Sequence, residues 1–461
     1  MEKWLSSALE YLPTWLELQI ESTQQPGCLM AVVHRGEVVL EHGFGVANLA
    51  TGEPLTPRHR FRIASHSKSF TASGIMKLRE QGRLRLDDPV GRFVRGLGRQ
   101  AASVTIMQLL SHSAGLTRDG VDAGQFDGRR PFLDVDDLFS DLAMGPVIDA
   151  GLRLKYSNHG YALLGLVIAS ITGEPYARWM EREVIGAAGL QETTPDMPLK
   201  RGTPFARGHT AQAPVGRRLV VPGDYNEQAI TPAGGFVSTA ADSALFFNQL
   251  SPTAQQSMLS PASRREMVRP HWRNPHATLE GHYGLGIMSG TVGGWAWFGH
   301  SGGLLGYISR TVTLPDRHLT LSIFSNAADG WAGFWADGAI NILRTFAQNG
   351  PPSRRVDDWT GRWWSAWGAV DFAPMGNKVL VGAPVMGNHP FLDASEIEIT
   401  GRDQGRIALA GGYGSHGETV RRVRDDSGKI TEIWLAASRF VPRSQAVAEL
   451  TRRYGRHGRP R

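Results

Sequence analysis

Two pairs of short apolar segments, far apart in the chain, constrain the fold of its first three quarters. The segments are 29–33, 38–42, 307–314 and 319–325. The first pair meets at Arg35-Gly36 and the second turns at Pro315, so each pair predicts a β-hairpin. Helices are predicted over 3–22 and 331–346, and a long, mainly helical region separates the hairpins. We therefore predict one α+β unit in which helices flank an antiparallel sheet and chain ends meet in that sheet.

The pattern changes at residues 348–353, where glycine and proline interrupt the chain. Five β-type segments then follow at close spacing: 378–381, 396–400, 407–410, 419–424 and 430–435. They predict a small antiparallel sandwich or barrel. The opening Gly361-Arg362-Trp363 is similar to the first strand of lipocalin-like barrels. The predicted domains are 1–350, 356–445 and a basic tail, 446–461.

The net charge of +6 is concentrated at the end of the chain. The stretch from Arg443 to Arg461 contains six arginines and a single acidic residue, Glu449. No basic helix or interleaved aromatic stripe is evident there, so we predict a solvated terminus and no nucleic-acid partner.

The single cysteine, Cys28, excludes an intramolecular disulfide and a cysteine-rich metal site. It lies in the apolar run 27–33, which favours a buried strand residue over a reactive thiol. Glu10 and Glu17 interrupt the start of the chain before a signal-peptide core develops, and no apolar stretch reaches a membrane-spanning length. We expect a cytoplasmic protein without a membrane partner.

Ser65 and Lys68 stand three residues apart, just before an apolar series that begins at Phe70. If a helix begins at or just after Ser65, the two side chains share a face and the amine reaches the hydroxyl. The serine would then lie at the positive end of the helix dipole, where a developing anion is favoured. Alone, the pair also suits an ordinary helix start, because serine is a good N-cap and lysine is common on solvated faces.

Further motifs follow in a fixed order. They are Tyr156-Ser157-Asn158, His300-Ser301-Gly302 and the framework segments 109–116, 232–239 and 283–286. Together with the Ser-x-x-Lys pair, they resemble serine β-lactamases and penicillin-binding proteins, especially the class C-like branch, over residues 27–346. The resemblance implies a β-lactamase/transpeptidase-like fold and a serine hydrolase that works through an acyl-enzyme.

The same resemblance implies roles for three side chains. Ser65 is the expected nucleophile, and a serine hydroxyl needs a neighbour to take its proton. Lys68 and Tyr156 are the two candidates, and both normally keep their proton in water. Either a protonated Lys68 favours a tyrosinate, or burial makes Lys68 itself neutral, and the sequence leaves both alternatives open.

The resemblance also implies a substrate-binding surface. Asn158 would hold Lys68 and touch the acyl side of the substrate. The backbone N–H of Gly303 would pair with that of Ser65 as an oxyanion hole. Ser301 and Gly302 would bind substrate along the strand edge.

His300, the remaining predicted catalytic residue, departs from the best-known pattern. β-Lactamases and cell-wall carboxypeptidases have Lys-Thr-Gly or a close variant there, and that lysine suits a substrate carboxylate. A histidine is mostly neutral at pH 7, which weakens the case for antibiotic hydrolysis and DD-carboxypeptidase action. The His-x-Gly form resembles D-stereospecific aminopeptidases, which are cytoplasmic and usually carry two C-terminal β-barrels, and class C-like esterases. This chain has room for one barrel.

Three functions follow as hypotheses. The first is hydrolysis of an amide bond in a small peptide or amino-acid amide, with a D-stereospecific aminopeptidase as the specific form. The second is an esterase or lactone-type acyl hydrolase with the same catalytic set. The third, from another class, is a catalytically silent ligand-binding protein, although a scaffold has no reason to keep Ser65, Lys68, Tyr156 and His300 together.

No cofactor is expected, and no metal. His112 and His159 lie outside any His-x-x-x-His or carboxylate-rich pattern, and His112 is interpreted as a structural turn residue. The expected partner is a small-molecule or short-peptide substrate, and self-association into a homo-oligomer stays open.

Overall fold

The structure, a computed structural model, describes residues 1–213, 215–274, 281–411 and 414–455. The chain divides into two compact units. One is Gln24–Ala336, and the other combines Met1–Thr23 with Asp337–Arg461. We call them the catalytic-type unit and the barrel unit.

A nine-stranded antiparallel sheet forms the centre of the catalytic-type unit. Its strands are β1 (Gly27–His34), β2 (Glu37–Asn48), β3 (Glu53–Pro54), β8 (Trp272–Asn274), β9 (Gly281–Tyr283), β10 (Met288–Val292), β11 (Trp295–Leu304), β12 (Tyr307–Leu314) and β13 (Leu319–Ser325). The order across the sheet is β3-β2-β1-β13-β12-β11-β10-β9-β8. Two small pairs join β4 (Phe61–Arg62) to β7 (Val237–Ser238) and β5 (Gly208–His209) to β6 (Val220–Val221).

The first and last strands of this sheet are neighbours, which confirms the predicted closure by distant chain segments. β1 pairs antiparallel with β13, and the register sets Cys28 opposite Ser325 and Val32 opposite Leu321. Cys28 is fully buried, and burial raises the pKa of its thiol well above the ordinary value. Both faces of β1 are apolar because the strand is central and covered on each side.

The helices within the described ranges are α1 (Lys3–Ser22), α2 (Ser67–Glu80), α3 (Arg99–Ser103), α4 (Ile106–Leu110), α5 (Val135–Leu142), α6 (Asn158–Thr172), α7 (Tyr176–Met180), α8 (Thr231–Gly234), α9 (Ala240–Gln249), α10 (Pro261–Val268), α11 (Ala332–Asn349) and α12 (Arg443–Tyr454). In these ranges, no helix combines the length and apolar character needed to cross a lipid bilayer.

Helix α2 is the buried centre of the helical layer. Its residues from Ser67 to Met76 are all buried. Phe70 stacks on Phe246 of α9 with ring centroids 3.6 Å apart, and burying such a ring stabilises the fold by roughly 1.5–3 kcal/mol. A Cβ on Gly74 would lie 2.9 Å from the sulfur of Met180, so the glycine permits close packing against α7. Helix α2 is therefore fixed on several sides.

The barrel unit contains a second antiparallel sheet. Its strands, in spatial and sequence order, are β14 (Gly361–Ser365), β15 (Gly368–Met375), β16 (Lys378–Gly382), β17 (Ser395–Gly401), β18 (Gln404–Leu409), β19 (Thr419–Arg424), β20 (Ile430–Leu435) and β21 (Ser438–Phe440). Trp364 and Val441 exchange two backbone hydrogen bonds of 2.8 Å, which joins the first strand to the end of the last. Of the two predicted architectures, this is a nearly closed barrel rather than a sandwich.

Helix α1 belongs to the barrel unit, whereas the sequence placed residues 1–350 in one domain. The reason lies in its polar side chains: Gln19 donates to the carbonyl oxygen of Pro384 at 2.5 Å, and the Tyr11 hydroxyl donates to Asp371 at 2.8 Å. Such long-range bonds have no local sequence signal.

The end of the chain also differs from the predicted solvated tail. Residues Arg443–Tyr454 form α12, and Glu449 of this helix pairs with Arg439 of β21 at 3.1 Å. Ala446 of this helix is buried, whereas Arg443 and Arg453 are more than half exposed. Residues 456–461 of the predicted tail lie outside the described residues.

Candidate active site

Ser65 lies in a tight turn between a short strand and the buried helix. β4 pairs with β7, residues Ala64–His66 form a 3₁₀ turn, and α2 begins at Ser67. Ala64 has a φ of 47°, a left-handed conformation that costs a non-glycine residue energy and is frequent beside reactive groups. The Ser67 hydroxyl donates to the Ala64 carbonyl at 2.6 Å and accepts from the Phe236 N–H at 3.0 Å, which holds the turn in place.

The structure brings the three predicted central side chains together. The Lys68 Nζ atom lies 3.0 Å from the Ser65 Oγ atom, and the Tyr156 hydroxyl lies 2.9 Å from the same Oγ atom. A second hydrogen bond, of 2.7 Å, runs from Lys68 to the carbonyl oxygen of Ala233. The serine hydroxyl is therefore within proton-transfer distance of two groups.

The protonation tendencies of those two groups differ in direction. Burial lowers the pKa of Lys68 to about 7, although the nearby Asp119 and Glu227 carboxylates oppose the shift. Burial raises the pKa of Tyr156 well above its ordinary value. Near neutral pH a large fraction of Lys68 is uncharged while Tyr156 keeps its proton. The tyrosinate alternative is thus the less favourable of the two.

Asn158 does not hold Lys68 as the sequence predicted. Ser157 caps α6 by accepting the Gly160 N–H at 2.9 Å, and Asn158 is the first residue of that helix. Its amide donates to Asp119 at 2.5 Å instead. Lys68 bonds to the carbonyl oxygen of Ala233 in α8. Asn158 still lines the cleft described below.

His300 lies on β11 but is buried beneath the surface of the sheet. It is 1% exposed, and its Nε2 and Nδ1 atoms lie 3.0 Å from the Tyr283 hydroxyl and 2.7 Å from the Ser301 carbonyl oxygen. Burial lowers the pKa of His300 well below 6.5, so the ring is neutral. The position occupied by a lysine cation in the resembling enzymes therefore carries no positive charge here.

The next three residues of β11 form the strand edge. The Ser301 hydroxyl accepts from Arg310 at 2.6 Å. A Cβ on Gly302 would lie 2.2 Å from the carbonyl oxygen of Ile63, so only glycine lets β11 approach the turn that carries Ser65. Gly303 follows at the point where the strand borders the cleft.

A cleft of about 470 Å³ opens at this site. Its lining includes Ser65, Arg118, Asp119, Asn158, Glu227 and Gly303. Arg118 pairs with Asp119 at 3.0 Å and is largely exposed. Ser65 and Gly303 border the same cavity, as the predicted pair of oxyanion donors requires.

Sequence reasoning missed Asp119 and Glu227, the two carboxylates of the cleft. Glu227 is fully buried and pairs with Arg62 at 3.4 Å through Oε1, while its Oε2 atom has no hydrogen-bond partner among the described residues. Burial raises its pKa to about 8. Asp119 lies just after the framework segment 109–116, and Glu227 lies just before the segment 232–239. That proximity to family segments is the sequence signal that could have identified them.

The two histidines considered as metal ligands have other partners. His159 lies 2.8 Å from Asp141, and the ring of His112 packs against that of Tyr156 in a tilted arrangement. Among the described residues, no group of three or more His, Cys, Asp or Glu side chains is arranged to hold a metal ion.

Comparison with known proteins finds relatives that share more than a quarter of the aligned residues with this chain. Penicillin-binding protein 4* of Bacillus subtilis (strain 168) is 28% identical over 331 residues, which span 69% of this chain and 71% of that protein. Protein flp of Staphylococcus aureus (strain MW2) is 28% identical over 191 residues, 40% of this chain and only 38% of flp.

Solved structures extend the likeness. An octameric penicillin-binding protein homologue from Pyrococcus abyssi matches 94% of this chain and 99% of its own, with a TM-score of 0.67 and 22% identity. A D-stereospecific amidohydrolase from Streptomyces sp. matches 71% of this chain and 95% of its own, with a TM-score of 0.58 and 25% identity. A D-amino acid amidase from Ochrobactrum anthropi SV3 matches 74% of this chain and 99% of its own, with a TM-score of 0.63 and 23% identity.

The family description Beta-lactamase matches residues 14–342, well over half of the chain. That stretch contains Ser65, Lys68, Tyr156 and His300. The protein therefore belongs to the Beta-lactamase family.

Proposed function

We propose that the protein is a serine hydrolase that cleaves an amide bond of a small amino-acid amide or short peptide, with a D-amino acid as the acyl group. The observation that carries this proposal is the arrangement around the Ser65 Oγ atom. The Lys68 amine, whose pKa is lowered to about 7, lies 3.0 Å from this atom, and the Tyr156 hydroxyl lies 2.9 Å from it.

Acylation uses Lys68 as the base. Its neutral amine takes the proton of Ser65, and the Oγ atom attacks the substrate carbonyl carbon. The negative charge that forms on the carbonyl oxygen is stabilised by the backbone N–H groups of Ser65 and Gly303. In other enzymes the loss of one such donor costs about 2.7–4 kcal/mol of barrier.

Tyr156 completes the proton transfers. Its protonated hydroxyl donates to the departing amine, and the proton on Lys68 passes back to Tyr156 through the site. Water then attacks the carbonyl carbon of the acyl-enzyme and gives a proton to Lys68. As the bond to Oγ breaks and the carboxylic acid leaves, Lys68 returns that proton to the Ser65 Oγ atom and is neutral again. The cycle consumes one water and releases an amine and a carboxylic acid.

The charges of the cleft support an amine-bearing substrate. Asp119 lines the cleft beside Ser65 and is partly exposed, so its carboxylate suits a free ammonium group. The neutral, buried His300 puts no charge at the strand position where the resembling enzymes have a lysine, and Arg118, an exposed cation of the cleft, is already paired with Asp119 at 3.0 Å. Likeness to a D-stereospecific amidohydrolase and a D-amino acid amidase supports the D configuration.

The test uses the purified protein and the Ser65→Ala variant with D-alaninamide, L-alaninamide, a short-chain ester and nitrocefin. Hydrolysis of the D-amide, abolished in the variant, is expected. Cleavage of the ester alone would replace the proposal with the esterase hypothesis. No turnover and no acyl adduct by mass spectrometry would favour a silent ligand-binding protein.

The role of Asp119 has its own test. Asp119→Asn should raise the KM for D-alaninamide about tenfold or more, because a neutral amide loses a charge-assisted bond to the ammonium. The KM for an acetyl ester, which has no amine, should stay within about twofold. Equal effects on both substrates would contradict the assignment.

A further inference from the structure

His112 is buried against the candidate catalytic tyrosine and has no part in the mechanism above. Its ring lies 4.0 Å, centroid to centroid, from the ring of Tyr156, and it is 1% exposed. Tyr161 and Tyr283 contact the other sides of the imidazole, at 5.0 and 4.7 Å. The ring is therefore a packed wall behind Tyr156.

Hydrogen bonds from His112 hold the backbone on both sides of Tyr156. Its carbonyl oxygen accepts the Lys155 N–H at 2.6 Å, and its Nδ1 atom accepts the Ser157 N–H at 3.2 Å. An acceptor at Nδ1 requires a neutral ring with its proton on Nε2, and burial lowers the pKa of His112 well below 6.5. Lys155, before Tyr156, is thus held by the backbone of His112, and Ser157, after Tyr156, is held by the His112 side chain.

The backbone of His112 is itself unusual. Its φ of 56° is in the left-handed region, which is uncommon for residues other than glycine, although asparagine, aspartate and histidine adopt it more often than the rest. A conformation of that kind persists when the surroundings over-determine it. Here the surroundings are the two hydrogen bonds and the tyrosine ring packed against the imidazole.

We infer that His112 is a positioning residue that sets the Tyr156 hydroxyl against the Ser65 Oγ atom. The inference rests on the proposed function, in which that hydroxyl transfers protons. A shift of about 1 Å in such a group costs up to 10²-fold in rate. His112 therefore affects the chemical step and leaves the binding of substrate nearly unchanged.

Three substitutions separate its contacts. His112→Asn keeps an acceptor for the Ser157 N–H and tolerates the left-handed backbone. His112→Phe keeps a ring against Tyr156 but loses the acceptor. His112→Ala loses both, so kcat should fall about 10–100-fold in this variant and less in the other two, with KM within about twofold. Unchanged kcat in folded His112→Asn and His112→Phe would overturn the inference.

A double-mutant cycle with Tyr156→Phe tests whether His112 acts through the tyrosine hydroxyl. Once that hydroxyl is gone, the further loss from His112→Asn should be less than about twofold. A loss as large as in the parent background would mean that His112 acts elsewhere, and would contradict the inference.

His59 provides a matched control. It is also buried, and its Nδ1 atom accepts the Thr56 N–H at 3.1 Å, the same kind of bond as in His112. Its other partner is Glu53 rather than Tyr156. His59→Asn should lower the thermal midpoint with kcat unchanged within about twofold. A loss of kcat equal to that of His112→Asn would show a general effect of buried histidines and count against the inference.

The readout must not depend on the substrate class. Phosphonylation of Ser65 by a fluorophosphonate, followed by mass spectrometry, reports the attack of the Oγ atom on any reactive centre. If D-alaninamide is not hydrolysed but labelling is slowed in the His112 variants, the proposed substrate fails and the inference stands. If wild-type Ser65 is not labelled at all, no reaction exists for Tyr156 to serve and the inference fails as well.

Discussion

Arg62 in the catalytic-type unit and Arg422 in the barrel unit are both buried and are held in similar ways. Each guanidinium lies over an aromatic ring, 4.6 Å from the centroid of Tyr225 and 4.0 Å from that of Trp359. Backbone carbonyl oxygens accept from both: those of Gly223, Tyr225 and Gly235 for Arg62, and those of Asp358 and Arg402 for Arg422.

The carboxylates that pair with them differ. Asp196 and Glu227, around Arg62, have side chains 5% and 0% exposed, whereas Asp358 and Asp403, around Arg422, are 56% and 28% exposed. Burial raises the pKa values of Asp196 and Glu227, while the hydrogen bond from Arg424 lowers that of Asp403.

The difference shows that similar arginine sites can serve different ends. In the barrel unit the acids stay in contact with water, so the ion pairs there contribute little beyond local fastening. In the catalytic-type unit both acids are taken out of water, and one of them, Glu227, borders the cleft. Its protonation then affects both stability and the charge beside Lys68.

The largest effect is expected from Arg62→Leu. The substitution leaves the buried Asp196 carboxylate without its cation, and the Glu227 carboxyl group and three backbone carbonyl oxygens without their donor. The free energy of unfolding should therefore fall by about 3–5 kcal/mol, measured by guanidinium titration at pH 7. Arg422→Leu is the matched control and should lose less than about 2 kcal/mol, because its acids return to water. Equal losses would break the comparison.

A smaller, pH-dependent effect is expected from Glu227→Gln. The folded pKa of Glu227 is about 8 against an unfolded value near 4.5, so native Glu227 binds a proton that the unfolded chain releases. Wild-type stability should therefore fall as pH rises from 5 to 8, and the glutamine variant should gain on the wild type by on the order of 3 kcal/mol over that range. Thermal unfolding at each pH measures it.

Asp403→Asn is the control for this pH series. The pKa of Asp403 is lowered in the folded state, so its stabilising contribution is complete above the unfolded value and is lost only as pH falls below it. Between pH 5 and 8 the difference between this variant and the wild type should be constant. A slope like that of Glu227→Gln would be inconsistent with the contrast between the two clusters.

The smallest effect concerns the rate. Because Lys68 acts without its proton and its pKa is about 7, kcat/KM should rise tenfold per pH unit below pH 7 and level off above it. Glu227 raises the pKa of Lys68 to the extent that it is ionised, so Glu227→Gln should move this limb to lower pH. Arg422→Leu should leave the profile unchanged. If the pH profile of Glu227→Gln matches that of the wild type, the charge of the Arg62 cluster does not affect the pKa of Lys68.

Local spacing made the fold and the centre of the site predictable. The hairpin segments near Arg35 and Pro315 correspond to β1, β2, β12 and β13, because short apolar runs and the turn residues between them act within a few positions. Ser65 and Lys68 meet for a similar reason, since one helical turn carries both. The Tyr156 motif was identified through its resemblance to a family, and the family assignment is confirmed.

The missed features depend on contacts between distant residues. Glu227 becomes unusual only when Arg62 and Gly234 enclose it, and no pattern near position 227 encodes that burial. The expected Asn158–Lys68 contact was wrong because Asp119 takes the amide and Ala233 takes the amine. The choice between a sandwich and a barrel depended on the Trp364–Val441 closure, which spans the whole second sheet.

Cys28 gives the molecule a practical property. The one native thiol is fully buried in β1, and its raised pKa keeps it from forming the thiolate that reacts with alkylating reagents. A cysteine introduced at an exposed position would consequently be the only sulfur nucleophile that a maleimide reaches in the folded protein. Spectroscopic probes or cross-linkers could therefore be attached at single chosen positions without first removing the native cysteine. The variant Ser65→Cys would place such a thiol beside Lys68.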